Sequence, residues 1–222
     1  MMDEKTFTAR IRRDTDWPYL LYLPSDYDAD GQPAPLILFL HGAGERGEDG
    51  DIVRTQGLPA YIESGHDLPF IVVAPVCPPD QRWEYYRDDL IQLLDHITAE
   101  HNVDATRVYL TGLSMGGFGT WDLARLYPQR FAAIAPICGG LSWEIDLHAA
   151  ARVLKHMPTW AFHGERDDVV LPEQTTRIID AIREQGGQPE LTLYPDARHD
   201  SWTATYRDSH LYEWFLAHSL TR

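Results

Sequence analysis

Long apolar runs are missing from this sequence. No stretch reaches the roughly 18 apolar residues of a membrane span, so no spanning helix is expected. Cysteine is scarce: Cys77 and Cys138 are the only two. Two are too few for a disulfide framework, and their spacing suits no zinc site. Positive charge is also in short supply, with 19 Lys and Arg against 34 Asp and Glu and a net charge of −15. So acidic a chain repels phosphate backbones, which argues against nucleic acid and anionic membrane surfaces as partners. The opening MMDEKTFTARIRRD has no apolar h-region, so no signal peptide is expected and cytoplasmic is the default location. Repeats, low-complexity tracts and linkers are absent too. With 222 residues, 44% of them hydrophobic, the chain reads as one domain, residues 1–222.

What is present alternates. Runs of strand length are YLLYLP (19–24), LILFL (36–40), FIVVAP (70–75), RVYLTG (107–112), FAAIAPI (131–137), TWAFHG (159–164) and ELTLYP (190–195). Between them lie amphipathic stretches at 87–101, 119–127 and 173–185, and a last one follows from Asp208. Leu90, Leu93, Leu94 and Ile97 mark one helical face, and Gly186-Gly187 is a helix stop signal. Strands alternating with helices predict an α/β fold with a mostly parallel central sheet and helices on both faces.

Gly42-Ala43-Gly44-Glu45-Arg46-Gly47 spells G-x-G-x-x-G after a strand, the pattern of a dinucleotide loop. The context is wrong for that role. The third glycine should open a helix facing a pyrophosphate, but Glu48, Asp49 and Asp51 follow it. The next strand ends in Pro75-Val76, where a ribose-binding acid is expected. Read instead as His41-Gly42-Ala43-Gly44, the stretch is the pattern of an oxyanion-hole loop in a hydrolase.

Gly112-Leu113-Ser114-Met115-Gly116 supports the hydrolase. It is G-x-S-x-G between a strand and a helix, the nucleophile-elbow context. The serine sits on a sharp turn, and glycines two before and two after it allow close backbone approach. Such a serine needs a base and an orienting acid, in the chain order Ser, Asp or Glu, His. Asp167 follows the 159–164 strand and His199 follows the 190–195 strand, where open parallel sheets place their sites. Ser114, Asp167 and His199 are therefore the candidate catalytic residues. Asp168, next along the same loop, is the alternative acid. His41 and His163 sit in His-Gly turns, where packing or hydrogen bonding is expected.

With these motifs, the chain resembles the α/β-hydrolase superfamily, in particular its single-domain bacterial carboxylesterases. Phospholipase/carboxylesterase, feruloyl-esterase-like and prolyl-oligopeptidase-type hydrolases are the related groups. The segments that carry the resemblance include LILFLHGAGERG, VYLTGLSMGGFGTW, WAFHGERDDVV and YPDARHDSW. It implies an α/β-hydrolase fold with a minimal cap. Ser114 becomes the nucleophile, Asp167 the acid and His199 the base, with the backbone N–H groups of Ala43 and Met115 as oxyanion hole. No metal or organic cofactor is required. The family's sheet order would put the Cys77 and Cys138 strands three positions apart, roughly 14 Å at about 4.8 Å per strand, so free thiols are expected. A dienelactone-type hydrolase would need Cys where this chain has Ser114.

The expected reaction is acyl transfer to water on a small-molecule ester, short-acyl or aryl, with activity falling in acid as His199 takes a proton. Residues 141–158 are too few for a large lid, so an open site is expected. Trp83 and Trp202 are candidate substrate contacts, Trp121 is expected in the core, and Trp143 suits either place. Glu45 and Arg46 form either a structural ion pair propping the loop or, through Arg46, a contact to an acidic substrate; the prop is favoured. A small-peptide serine peptidase and a non-catalytic binding protein of the same fold are the alternatives; the lack of a propeller or other gating domain favours the esterase.

Overall fold

A computed structural model describes residues 16–221. The opening segment read for a signal peptide lies outside them. Seven strands form one sheet: β1 (Tyr19–Tyr22), β2 (Ala34–Leu40), β3 (Ile71–Pro75), β4 (Val103–Leu113), β5 (Ala133–Ile137), β6 (Trp160–Gly164) and β7 (Glu190–Tyr194). Their order is β1-β3-β2-β4-β5-β6-β7. Only β1 runs antiparallel, against β3; the other pairs are parallel. The helices are α1 (Gly57–Glu63), α2 (Arg87–Glu100), α3 (Met115–Leu126), α4 (Leu147–Leu154), α5 (Glu173–Glu184), α6 (Trp202–Arg207) and α7 (Ser209–Leu216).

Strand β2 shows why the sheet is covered on both sides. Leu36, Leu38 and Leu40 face a core shared with Leu90 and Leu94 of α2, Trp121 of α3, Leu154 of α4 and Ile178 of α5. Ile37 and Phe39 face the other core, with Leu58 of α1, Tyr206 of α6 and Phe215 of α7. Successive side chains of a strand point to opposite faces, so a run that is apolar throughout demands two apolar layers. Helix α2 buries Leu90, Leu94 and Ile97, and Asp88 and Asp89 in its first turn suit the helix dipole. Buried Asp122 of α3 pairs with Arg87 and Arg125 and so ties α2 to α3. Gly186, at φ +87°, stops α5 as its sequence predicts.

All seven predicted strands are present. Three helices are not read from the sequence. α1 contains a proline and spans seven residues, α6 is Thr-rich and spans six, and α4 lies in the capping stretch. Tertiary burial holds them: Leu58 in α1, Tyr206 in α6, and Ala150, Ala151 and Leu154 in α4. Helix α4 thus packs into the core through these residues. Strands β3 and β5 stand three positions apart, and Cys77 and Cys138 are both free and buried. Among the described residues, no helix is long and apolar enough to cross a membrane.

Leu38 is fully buried in β2, level with Val73 of β3 and Leu110 of β4. Leu38→Ala should lower unfolding stability by about 2–5 kcal/mol, read from urea denaturation.

Candidate active site

Strand β4 lies at the middle of the sheet and ends at the serine. Ser114 has φ 53° and ψ −116°, a strained conformation for a residue with a side chain. Its N–H donates to Ile137 O at 3.0 Å and to Cys138 Sγ at 3.3 Å, and its carbonyl accepts the Phe118 N–H at 3.0 Å. The flanking glycines permit the turn. A Cβ at Gly116 would stand 1.8 Å from Leu40 O, and one at Gly112 would stand 2.6 Å from Leu40 O and Gly116 O.

Loops after β6 and β7 bring the other two groups. His199 Nε2 lies 2.9 Å from Ser114 Oγ, and His199 Nδ1 lies 2.7 Å from Asp167 Oδ2. The other carboxylate oxygen, Oδ1, accepts the Val169 and Val170 N–H groups at 2.9 and 3.0 Å. Burial by itself would raise the Asp167 carboxyl. The His199 hydrogen bond and the two backbone donors outweigh burial and hold it below the usual carboxylate range. Behind it, His163 Nε2 sits 2.8 Å from Val170 O and 3.2 Å from Asp167 Oδ2. Burial lowers the His163 pKa and favours a neutral ring. Asp168, the alternative acid, is exposed and pairs with Arg198 at 3.0 Å.

The loop after β2 is stapled to the loop after β3. Buried His41 accepts the Cys77 N–H at Nε2 (2.8 Å) and donates from Nδ1 to Gly42 O (2.7 Å). Gly47 N–H donates to Cys77 O at 3.0 Å. Arg46 donates to Ala43 O at 2.9 Å and to Gln81 O at 3.3 Å. Arg46 therefore props the loop as favoured, but through carbonyls rather than an ion pair with Glu45. The Glu45 carboxylate turns in under Gly42; Oε2 has no hydrogen-bond partner among the described residues, and burial raises its pKa. Ala43 opens a short 3-10 turn, and no helix starts at Gly47, in keeping with rejection of the dinucleotide reading. Met115 is the first residue of α3, so its N–H has no acceptor within the helix.

Trp83 corrects the sequence reading. It is 1% exposed and donates from Nε1 to His41 O at 2.9 Å. It braces the loop from inside the core and cannot touch a ligand. Trp202 does lie at the site: its ring meets His199 edge-on at 5.4 Å, and its Nε1 donates to Gln56 Oε1 at 3.2 Å. Trp121 is in the core, and Trp143 is exposed. Cys138 went unread as a neighbour of the serine. Its φ of +41° is a left-handed conformation that sequence patterns flag at glycine, not at cysteine. Burial pushes its thiol pKa far up, so no thiolate competes with Ser114. The potential donor atoms of Cys138, Asp167 and His199 lie within 4.8 Å of one another, but they are engaged as described.

A seven-stranded sheet in this order, with a strained serine at the turn after its middle strand, defines an α/β-hydrolase. More narrowly, the chain belongs to the Dienelactone hydrolase family, whose sequence profile matches residues 80–213, so Ser114 in place of the expected Cys does not set it outside that family. It is 27% identical over 209 residues to a bifunctional acetylxylan esterase/xylanase of Neocallimastix patriciarum, covering 87% of this chain and 27% of that protein. It is 51% identical over 139 residues to poly(3-hydroxyalkanoate) depolymerase C of Paucimonas lemoignei, covering 54% of this chain and 30% of that protein. The chain thus spans less than a third of the length of these two relatives. Among solved structures, a thermostable esterase superposes with a TM-score of 0.75 at 34% identity, covering 91% of this chain and 59% of that one.

Burial lowers the His41 pKa to about 4; the Gly42 hydrogen bond opposes this and the Arg46 charge adds to it. The unfolded chain protonates the same ring near 6.5, so it binds more protons between those values. Stability from this site is full above about pH 6.5 and is lost as pH falls toward 4, by on the order of 3 kcal/mol. Urea unfolding across this range should show that loss in the wild type. His41→Gln, less stable at neutral pH, should show a correspondingly shallower decline.

Proposed function

We propose that the chain is a serine carboxylesterase acting on small, soluble esters with short acyl or aryl groups. One observation carries this reading: the unbroken line Asp167–His199–Ser114, with links of 2.7 and 2.9 Å. Esterases among the relatives support it at the level of ester hydrolysis. Serine at position 114, with Cys138 buried behind it, favours oxygen over thiolate chemistry.

In the proposed mechanism, Ser114 Oγ attacks the ester carbonyl as His199 Nε2 takes its proton. Asp167, held ionised by its backbone donors, fixes the Nδ1–H tautomer and stabilises the imidazolium. The Ala43 and Met115 N–H groups receive the oxyanion, an effect of about 2.7–4 kcal/mol per donor in comparable sites. The positive end of α3 points the same way. His199 then protonates the leaving alcohol, and a water activated by the same ring cleaves the acyl-enzyme, releasing acid and Ser114. The contact of Trp202 with the His199 ring supports its reading as a substrate contact beside the reacting groups. Ser114 is half-buried and α4 packs into the core, which supports dissolved esters over an emulsified interface.

A purified Ser114→Ala protein with wild-type unfolding behaviour should lose at least about a thousandfold in turnover of nitrophenyl acetate and butyrate. Asp167→Asn should lose on the order of 10⁴-fold in kcat through the wrong tautomer. Full turnover by Ser114→Ala would overturn the assignment.

A further inference from the structure

Large apolar side chains exposed singly are ordinary, but clustered ones mark an interaction surface. Here the four most exposed ones among the described residues cluster. Trp143 is 85% exposed, Val169 68%, Tyr85 67% and Leu171 57%; the next, Ile52, is 42% exposed and lies elsewhere. All four line a single open groove of about 780 Å³. They come from three loops, after β3, β5 and β6, at the same sheet edge as the proposed triad. The groove begins beside it. Phe118, whose N–H bonds Ser114 O, is in its wall, as is Val170, whose N–H bonds Asp167.

The groove is not apolar throughout. Arg82, Glu144 and Gln174 stand among the four apolar residues. Three arginines in the lining oppose two glutamates, in a chain whose net charge is −15. Each of those arginines already has a partner: Arg87 in Asp122, Arg177 in Leu141 O at 2.6 Å and Arg82, at the longer 3.9 Å, in Glu84. Such a lining does not select a strongly charged ligand. A wholly apolar chain would strip water from its charged groups without replacing the lost hydrogen bonds. A neutral ring with an apolar C–H face and a rim of hydroxyls meets both demands. Its face stacks on Trp143 or Tyr85, and its hydroxyls bond Arg82, Glu144 or Gln174.

We infer that this groove is a subsite for the alcohol part of the substrate, and that this part is a sugar ring of an esterified oligosaccharide. The inference rests on the esterase reading above. The acyl group would lie at Ser114 and the sugar would extend past Phe118 toward Trp143.

The test measures kcat/KM for soluble acetylated xylo-oligosaccharides, for 3-hydroxybutyrate oligomers and for nitrophenyl acetate. The wild type, Trp143→Ala and Val153→Ala, an exposed residue of α4 outside the groove, are compared. The ratio of oligosaccharide ester to nitrophenyl acetate should fall about five- to tenfold in Trp143→Ala and stay unchanged in Val153→Ala. An unchanged ratio in Trp143→Ala overturns the subsite, and so does an equal fall in Val153→Ala. A fall confined to the 3-hydroxybutyrate oligomers overturns the sugar assignment in favour of a polyester. Failure of the wild type to hydrolyse nitrophenyl acetate would instead overturn the esterase reading itself.

Discussion

Backbone meets backbone around Ser114 with no room for a side chain between. The Gly116 backbone lies so close to the Leu40 carbonyl that any Cβ would overlap it, and the β2–β4 register sets Leu40 level with Gly112. This contact fixes where the His41–Gly44 loop passes the serine, and hence where the Ala43 and Met115 N–H groups stand. Two of the three non-glycine residues with positive φ among the described residues, Ser114 and Cys138, meet here through the Ser114 N–H. Conformations of this kind cost of order 1–3 kcal/mol each and survive only where the surroundings over-determine them. The surroundings are β2, β4 and β5, whose apolar residues at this end are almost wholly buried between two helical layers.

The same core sorts the ionisable groups. Three histidines approach the site, and two of them, His41 and His163, are kept toward the neutral form by burial. They serve as hydrogen-bonding struts, one for the loop after β2 and one for the loop that carries Asp167. Asp167 is equally buried, yet its carboxyl is held down by three donors that reward the charge. One carboxylate is thus left facing one partly buried imidazole. Asp168, next in sequence, shows how much position decides, because solvent and Arg198 claim it instead.

Much of this was legible in the sequence. Seven apolar runs mark the seven strands, and the G-x-S-x-G between a strand and a helix marks the elbow. The loops after two later strands mark Asp167 and His199, because parallel sheets deliver their functional groups at one edge. Other features were not legible, for physical reasons. Trp83 read as a candidate substrate contact, but three-dimensional packing turns its indole inward to His41 O. Glu45 and Arg46 are adjacent and opposite in charge, yet carbonyls outcompete the carboxylate for the guanidinium. Cys138 adopts a left-handed φ that its residue type does not announce. The groove beyond Phe118 draws on three loops far apart in sequence, so no local pattern could reveal it.

The proposed chemistry turns on Ser114 as a nucleophile activated by His199. Reaction with a fluorophosphonate, followed by intact mass and peptide mapping, tests this without any choice of ester. One adduct per chain is expected, on the peptide bearing Ser114, formed far more slowly in a folded His199→Gln variant. An adduct at another residue, no adduct at all, or an unchanged labelling rate in His199→Gln would contradict it.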